Sequence, residues 1–78
     1  MAQLELFGSR GCPYTEELRD SLEWRGVSFV EYDVDSDPIA RARMRELSGD
    51  QRTVPVLVEN GKVIQVGWQG RGCVLAEK

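Results

Sequence analysis

A cysteine followed by a proline, Cys12-Pro13, stands between a short apolar run and a segment of helical periodicity. This junction constrains the fold more than any other part of the chain. Leu4-Glu5-Leu6-Phe7 alternates and then turns apolar, the pattern of a short strand, and Gly8-Ser9-Arg10-Gly11 reads as a turn. Beyond it Tyr14, Leu18 and Leu22 recur every four residues and form one apolar face of a helix. Pro13 suits the first helical position, where a missing N–H costs nothing. Arg25 falls in the last turn and Gly26 is the stop. Cys12 therefore takes the N-cap place, where unpaired N–H groups and the positive end of the helix dipole gather. A thiol there is more acidic and more reactive than a free one. Arg10 adds to the effect, whereas Glu16 and Glu17 in the first turn oppose it, so the expected shift is downward and not extreme.

The remaining elements are equally short. In the span 27–34, Val30, Tyr32 and Val34 alternate with Glu31 and Asp33, which predicts a second strand with those three on a buried face. Asp37 and Pro38 are an N-cap and a first-turn proline for a helix over 39–48. That helix is expected to bury Ala40, Met44 and Leu47, to leave Arg41, Arg43 and Arg45 in water, and to stop at Gly49. Residues 55–59 read as a third strand, Asn60-Gly61 as a tight hairpin turn, and 62–66 as the returning strand. Pro55 is tolerated at a strand head because it need not donate to the ladder. The stretch Gly67-Trp68-Gln69-Gly70-Arg71-Gly72-Cys73 is glycine-rich and reads as irregular, and the residues after Cys73 have room for a single helical turn at most.

The order is thus β-α-β-α-β-β, an α/β arrangement. Two strands joined through a helix imply a right-handed parallel pair, with the final hairpin added antiparallel to a four-stranded mixed sheet and helices on its faces. Seventy-eight residues suffice for a single domain, 1–78, with a thin core. Ten basic against thirteen acidic residues, with no basic cluster, argue against nucleic-acid binding. No apolar run approaches the ~20 residues needed to span a bilayer. The first residues lack the pattern of a signal peptide, so the expected compartment is cytoplasmic, where cysteines are more often catalytic than structural. Two cysteines without histidine argue against a zinc site, and no metal is expected. One disulfide, Cys12 to Cys73, is the most the chain could form.

Cys12-Pro13-Tyr14-Thr15, then Arg52-Thr53-Val54-Pro55, then a hairpin ending near Gly67 resemble, in this order and strand–helix context, the glutaredoxin family of the thioredoxin-like fold. The likeness runs from about Leu4 to Trp68. It implies a thiol–disulfide oxidoreductase that reduces protein disulfides or glutathione mixed disulfides, with Cys12 as nucleophile. It also implies a cis bond before Pro55, which leaves the Val54 backbone free to pair with an extended substrate such as the cysteinyl part of glutathione. By the same resemblance Pro13, Thr53, Val54 and Pro55 border the substrate, with Gly67 and Trp68 at the end of the hairpin. Tyr14 either lines the thiol groove or serves the helix core. Arg10 and Arg52 are either partners for substrate carboxylates or solvated surface residues. No tightly bound cofactor is implied. Glutathione is the expected co-substrate, with disulfide-containing or glutathionylated proteins as substrates, and the protein is expected to be a monomer.

The chain departs from that pattern twice. Dithiol members carry C-x-x-C, whereas Thr15 stands at the second position here and cannot resolve a mixed disulfide; the motif is monothiol-type, and a second glutathione could release the first. The Gly-Gly pair and following acidic residue that hold a glutathione carboxylate are also missing. Val66-Gly67-Trp68-Gln69-Gly70 looks more like the glutaredoxin-like hydrogen donors of ribonucleotide reductase, which a thioredoxin-reductase-type donor reduces. Cys73 is a candidate resolving cysteine, its alternative being a buried residue of the tail. Two other functions remain open from sequence: a non-catalytic module that binds glutathione or peptide along Val54, and an iron–sulfur cluster carrier, for which the family's C-G-F-S is not matched.

Overall fold

The computed structural model describes residues 3–49 and 52–75. Within them β1 (Leu4–Gly8), α1 (Pro13–Trp24), β2 (Val30–Asp33), α2 (Pro38–Ser48), β3 (Thr53–Val54), β4 (Val56–Glu59), β5 (Lys62–Val66) and β6 (Cys73–Val74) follow in chain order. Four strands form a mixed sheet in the order β2-β1-β4-β5. β1 runs parallel to β2 and antiparallel to β4, so the crossover through α1 and the added hairpin are as the sequence implies. The architecture is the thioredoxin-like α/β fold.

Alternation along β1 and β4 divides the core between the two faces of the sheet. Leu6 and Leu57 pack with Leu18 and Leu22 of α1 on one side. Phe7, Val56 and Val58 pack with Ala40 and Met44 of α2 on the other. Both helices start where their side chains dictate. Cys12 is the extended N-cap of α1 and Pro13 opens its first turn. Asp37 caps α2 by accepting from the Ile39 and Ala40 N–H groups, both at 3.1 Å. Gly49 ends α2 in the left-handed conformation at φ 68°. The β4–β5 turn places Asn60 and Gly61 at φ 52° and 81°, which accounts for that residue pair.

Four expectations are corrected. The stripe that α1 buries is Thr15, Leu18 and Leu22, with Tyr14 only half-buried, because Tyr14 packs with the core on the α2 side. Val30 is exposed: β2 is an edge strand, and only Tyr32 and Val34, nearer α2, join the core. Arg43 does not simply face water. Its guanidinium bonds the carboxylate of Glu5, a residue on the α2 side of β1 that is only 4% exposed, and lies 5.8 Å from the Phe7 ring centre. Tyr32, stacked on Phe7 at 4.9 Å, donates to the same Glu5 carboxylate at 3.2 Å. Finally, the 67–73 stretch is not irregular. Trp68 and Arg71 exchange backbone hydrogen bonds of 2.6 and 3.0 Å around a tight turn at Gln69-Gly70, and the chain continues into β6. β6 pairs antiparallel with β3, Thr53 opposite Val74 and Val54 opposite Cys73, as a second, two-stranded sheet. Any helical turn after Leu75 would lie outside the described residues. Among the described residues no helix is long and apolar enough to cross a membrane.

Candidate active site

The N-terminus of α1 faces the β3–β6 pair, and the two cysteines meet there. Cys12 and Cys73 form a disulfide with their Cα atoms 5.9 Å apart, joining residues 61 positions apart in sequence. That separation sits at the usual distance for a bridge. Cys12 is 1% exposed, and its Sγ lies 4.0 Å from the Val54 carbonyl oxygen, a contact without a proton while the sulfur is bonded to Cys73. Cys73 is less deeply placed, packed against the rim of the same cluster.

The seating of Cys73 depends on its neighbours in sequence. Gly72 passes so close to β3 that a Cβ there would lie 2.6 Å from Thr53 Cγ2 and 2.7 Å from the Val54 carbonyl oxygen. Only glycine permits that approach. Leu75, 6% exposed, plugs into the α2-side core, and its N–H donates to the Arg52 carbonyl at 2.8 Å. Gly67 turns the chain toward this path at φ 80°, its N–H donating to the Pro55 carbonyl at 2.7 Å. The peptide bond before Pro55 is cis.

Of the residues singled out from sequence, Cys12, Cys73 and Val54 meet at the disulfide, Thr53 pairs with Val74 beside them, and Tyr14 packs against the same cluster as Cys12 and Val54. Pro13 is an exposed first residue of α1 and Pro55 is buried behind Val54. Gly67 is buried at the bend that leads to β6. Arg10 and Trp68 are turned elsewhere. The Arg10 guanidinium lies 3.8 Å from the Asp33 carboxylate, at a cavity of about 250 Å³ that Ser9, Arg19 and Glu31 also line. The Trp68 indole N–H donates to Glu17 at 3.1 Å, and the ring packs on the α1-side core. Arg52 contributes its carbonyl to β6 and carries further interactions of its own.

Gly72 and Leu75 shape this geometry without an obvious chemical signal in the sequence, and Thr15 has a packing role that its motif position did not show. Thr15 is buried at 1%, accepts from the Ser9 N–H at 3.4 Å and packs flush on Gly8, where any Cβ would collide with it. Its place is therefore filled by packing. Gly72 and Leu75 seat the tail; the apolar pair Val74-Leu75 directly after Cys73 is the pattern that marks them. Among the described residues Glu5 has the one carboxyl clearly displaced in acidity. The Arg43 hydrogen bond is the largest cause and holds it below the ordinary carboxylate value, against the opposing effect of burial. Burial, and then the Glu5 hydrogen bond, push the Tyr32 hydroxyl up.

The glutaredoxin family model matches residues 4–64, from β1 through most of β5. The chain belongs to the glutaredoxin family. A protein described as a probable glutaredoxin of Synechocystis sp. is 35% identical over 63 residues, which are 81% of this chain and 58% of that relative. The chain thus spans somewhat under three fifths of that glutaredoxin's length. Among solved structures, a thioredoxin-like protein superposes with a TM-score of 0.74 at 29% identity, over 85% of this chain and 88% of the other. A buckwheat glutaredoxin in complex with glutathione superposes with a TM-score of 0.67 at 25% identity, over 82% of this chain and 59% of that one. The glutaredoxin match ends before the tail, so Cys73 lies beyond it while Val54, which it faces, lies within.

Proposed function

We propose that this glutaredoxin-family chain is a thiol–disulfide oxidoreductase whose redox couple is Cys12–Cys73. The observation that carries the reading is the disulfide itself, formed at the N-terminus of α1 and beside the Val54 carbonyl. In the reduced protein Cys12 attacks a substrate disulfide, because the helix terminus favours its thiolate. The bond between the two substrate sulfurs breaks, one sulfur remains on Cys12 and the other leaves as a thiol. Cys73 then attacks Cys12 Sγ, the second substrate thiol departs, and the 12–73 bond closes. Cys73 so takes the part that Thr15, buried against Gly8, cannot take. Substrates are disulfide-containing or glutathionylated proteins. Electrons return from glutathione, which the buckwheat complex supports as a ligand of a related site, or from a thioredoxin-reductase-type donor. A monomer in a reducing cytoplasm suits this chemistry.

The test is a pair of variants with mass spectrometry of the oxidised protein. Wild type should lose two mass units per chain on oxidation and reduce a model protein disulfide. Cys12→Ser should abolish that activity, while Cys73→Ser should stop at a Cys12 mixed disulfide that only excess thiol resolves. Full activity in Cys12→Ser would refute the reading.

A further inference from the structure

The tail does more than deliver a second sulfur. β6 lies on the Val54 edge, the edge along which an extended substrate would add as a strand, with Cys73 directly opposite Val54. In the oxidised protein that edge is filled by the protein's own chain, held by the close passage of Gly72 and the buried Leu75. Cys12 is sealed beneath at 1% exposure, whereas Cys73 keeps a partly open side. The two sulfurs of one bond therefore differ in access.

They also differ as leaving groups. Displacement at one sulfur of a disulfide expels the other as a thiolate, and the more acidic thiol leaves faster. Cys12 stands at the N-terminus of a twelve-residue helix, where unpaired N–H groups and the dipole favour a negative sulfur. Cys73 sits in a two-residue strand and not at a helix N-terminus. Access and leaving-group character thus select the same direction.

We infer that the oxidised protein is recharged through Cys73: the incoming thiolate attacks Cys73 Sγ and expels Cys12 as the thiolate. This rests on the Cys12–Cys73 couple proposed above and adds to it a division of labour between the sulfurs. Substrate disulfide is taken on Cys12, and reductant on Cys73. With a monothiol reductant the first thiolate forms a bond to Cys73 Sγ as the 12–73 bond breaks, and its electron pair leaves on Cys12. A second thiolate then attacks the reductant's sulfur in the mixed disulfide. That step releases the reductant's disulfide and a Cys73 thiolate, which takes a proton from water. Two thiols are oxidised to one disulfide and the protein gains two electrons. Cys12 is returned as a thiolate in the first step, before the tail is cleared of its adduct.

The experiment treats the oxidised full chain with glutathione for short times in the presence of excess iodoacetamide, quenches with acid and maps both cysteines by peptide mass. The expected product carries glutathione on Cys73 and carbamidomethyl on Cys12, in at least tenfold excess over the opposite arrangement when extrapolated to zero time. An equal mixture, or glutathione mainly on Cys12, overturns the inference while leaving the couple intact. Failure of the oxidised chain to show the two-unit mass loss overturns the couple instead. Gly72→Ala, which forces β6 off Val54, should lower the Cys73 preference at least threefold, because it uncovers Cys12. An unchanged preference would refute the seating of β6 as its cause.

Discussion

Reducing the 12–73 bond should cost this protein a large part of its stability. The bond joins residues 61 positions apart in a chain of 78, so it closes most of the molecule into one loop. In the chain-entropy model a loop of that size restricts the unfolded state by about 4 kcal/mol at 25 °C. A domain of this length has a total stability of only about 4–12 kcal/mol. The reduced form therefore stands much nearer to unfolding, held by the two-sided core and by Leu75. For a domain this small each kcal/mol moves the melting temperature by about 4–8 °C, so the expected drop is about 15–30 °C. Circular dichroism melts of the oxidised protein, with and without a phosphine reductant, measure it. Cys73→Ala is the control, since its melting temperature should not respond to the reductant. Urea unfolding should also show a smaller m-value for the oxidised form, whose unfolded chain is more compact. Oxidised and reduced melts within a few degrees of each other would refute the reasoning.

Other consequences are as direct. The native Glu5 carboxyl is held below its ordinary value of 4.5, so the Arg43 pair contributes stability that is present above that value and lost as pH falls through the native one. Glu5→Gln should therefore cost about 1–3 kcal/mol at neutral pH, and the difference from wild type in urea midpoint should shrink well below pH 4.5. Leu75→Ala removes the apolar anchor of β6. It should destabilise the oxidised protein by about 2–3 kcal/mol in urea titration and speed reduction of the disulfide by glutathione, followed by mass. Gly67→Ala needs a left-handed side chain and sets a Cβ 2.6 Å from the Arg71 carbonyl oxygen, so it should cost about 2 kcal/mol or more and open the Trp68–Arg71 turn. In a Cys73→Ser background, Thr15→Cys supplies a thiol in the first turn of α1. It should restore a two-unit mass loss on oxidation, and its absence would mean that the Gly8 contact holds residue 15 away from Cys12.

The helix-capping residues and the periodic apolar positions carried most of the fold, because caps, turns and amphipathic repeats act over a few neighbouring residues. Asp37 and Gly49 bound α2, Asn60-Gly61 turns β4 into β5, and Pro13 opens α1 behind Cys12, all through contacts that sequence spacing prescribes. The errors fall where a residue's surroundings come from distant parts of the chain. Val30 alternates like a buried residue but lies at the start of an edge strand. Arg43 belongs to a charged, solvent-facing series in α2, yet its rotamer reaches Glu5 of β1, 38 positions away, and meets a buried carboxylate that needs a partner.

Cys12 could be placed at a helix N-terminus, and so singled out as the candidate nucleophile, from sequence alone, since that position depends on the next few residues. The family resemblance likewise rested on short motifs and their order. The identity of its partner was a choice among alternatives until the chain was folded. Nothing local to Cys73 says that it lies opposite Val54: that depends on a glycine thin enough to pass Thr53, a leucine that reaches the core, and a bend at Gly67. Thr15 reads as a missing thiol in sequence and as a fitted side chain against Gly8 in the structure. The chemistry of one sulfur is thus a local property, set by backbone dipoles within a turn. The pairing of two sulfurs, and which of them meets solvent, is decided by packing between segments some sixty residues apart.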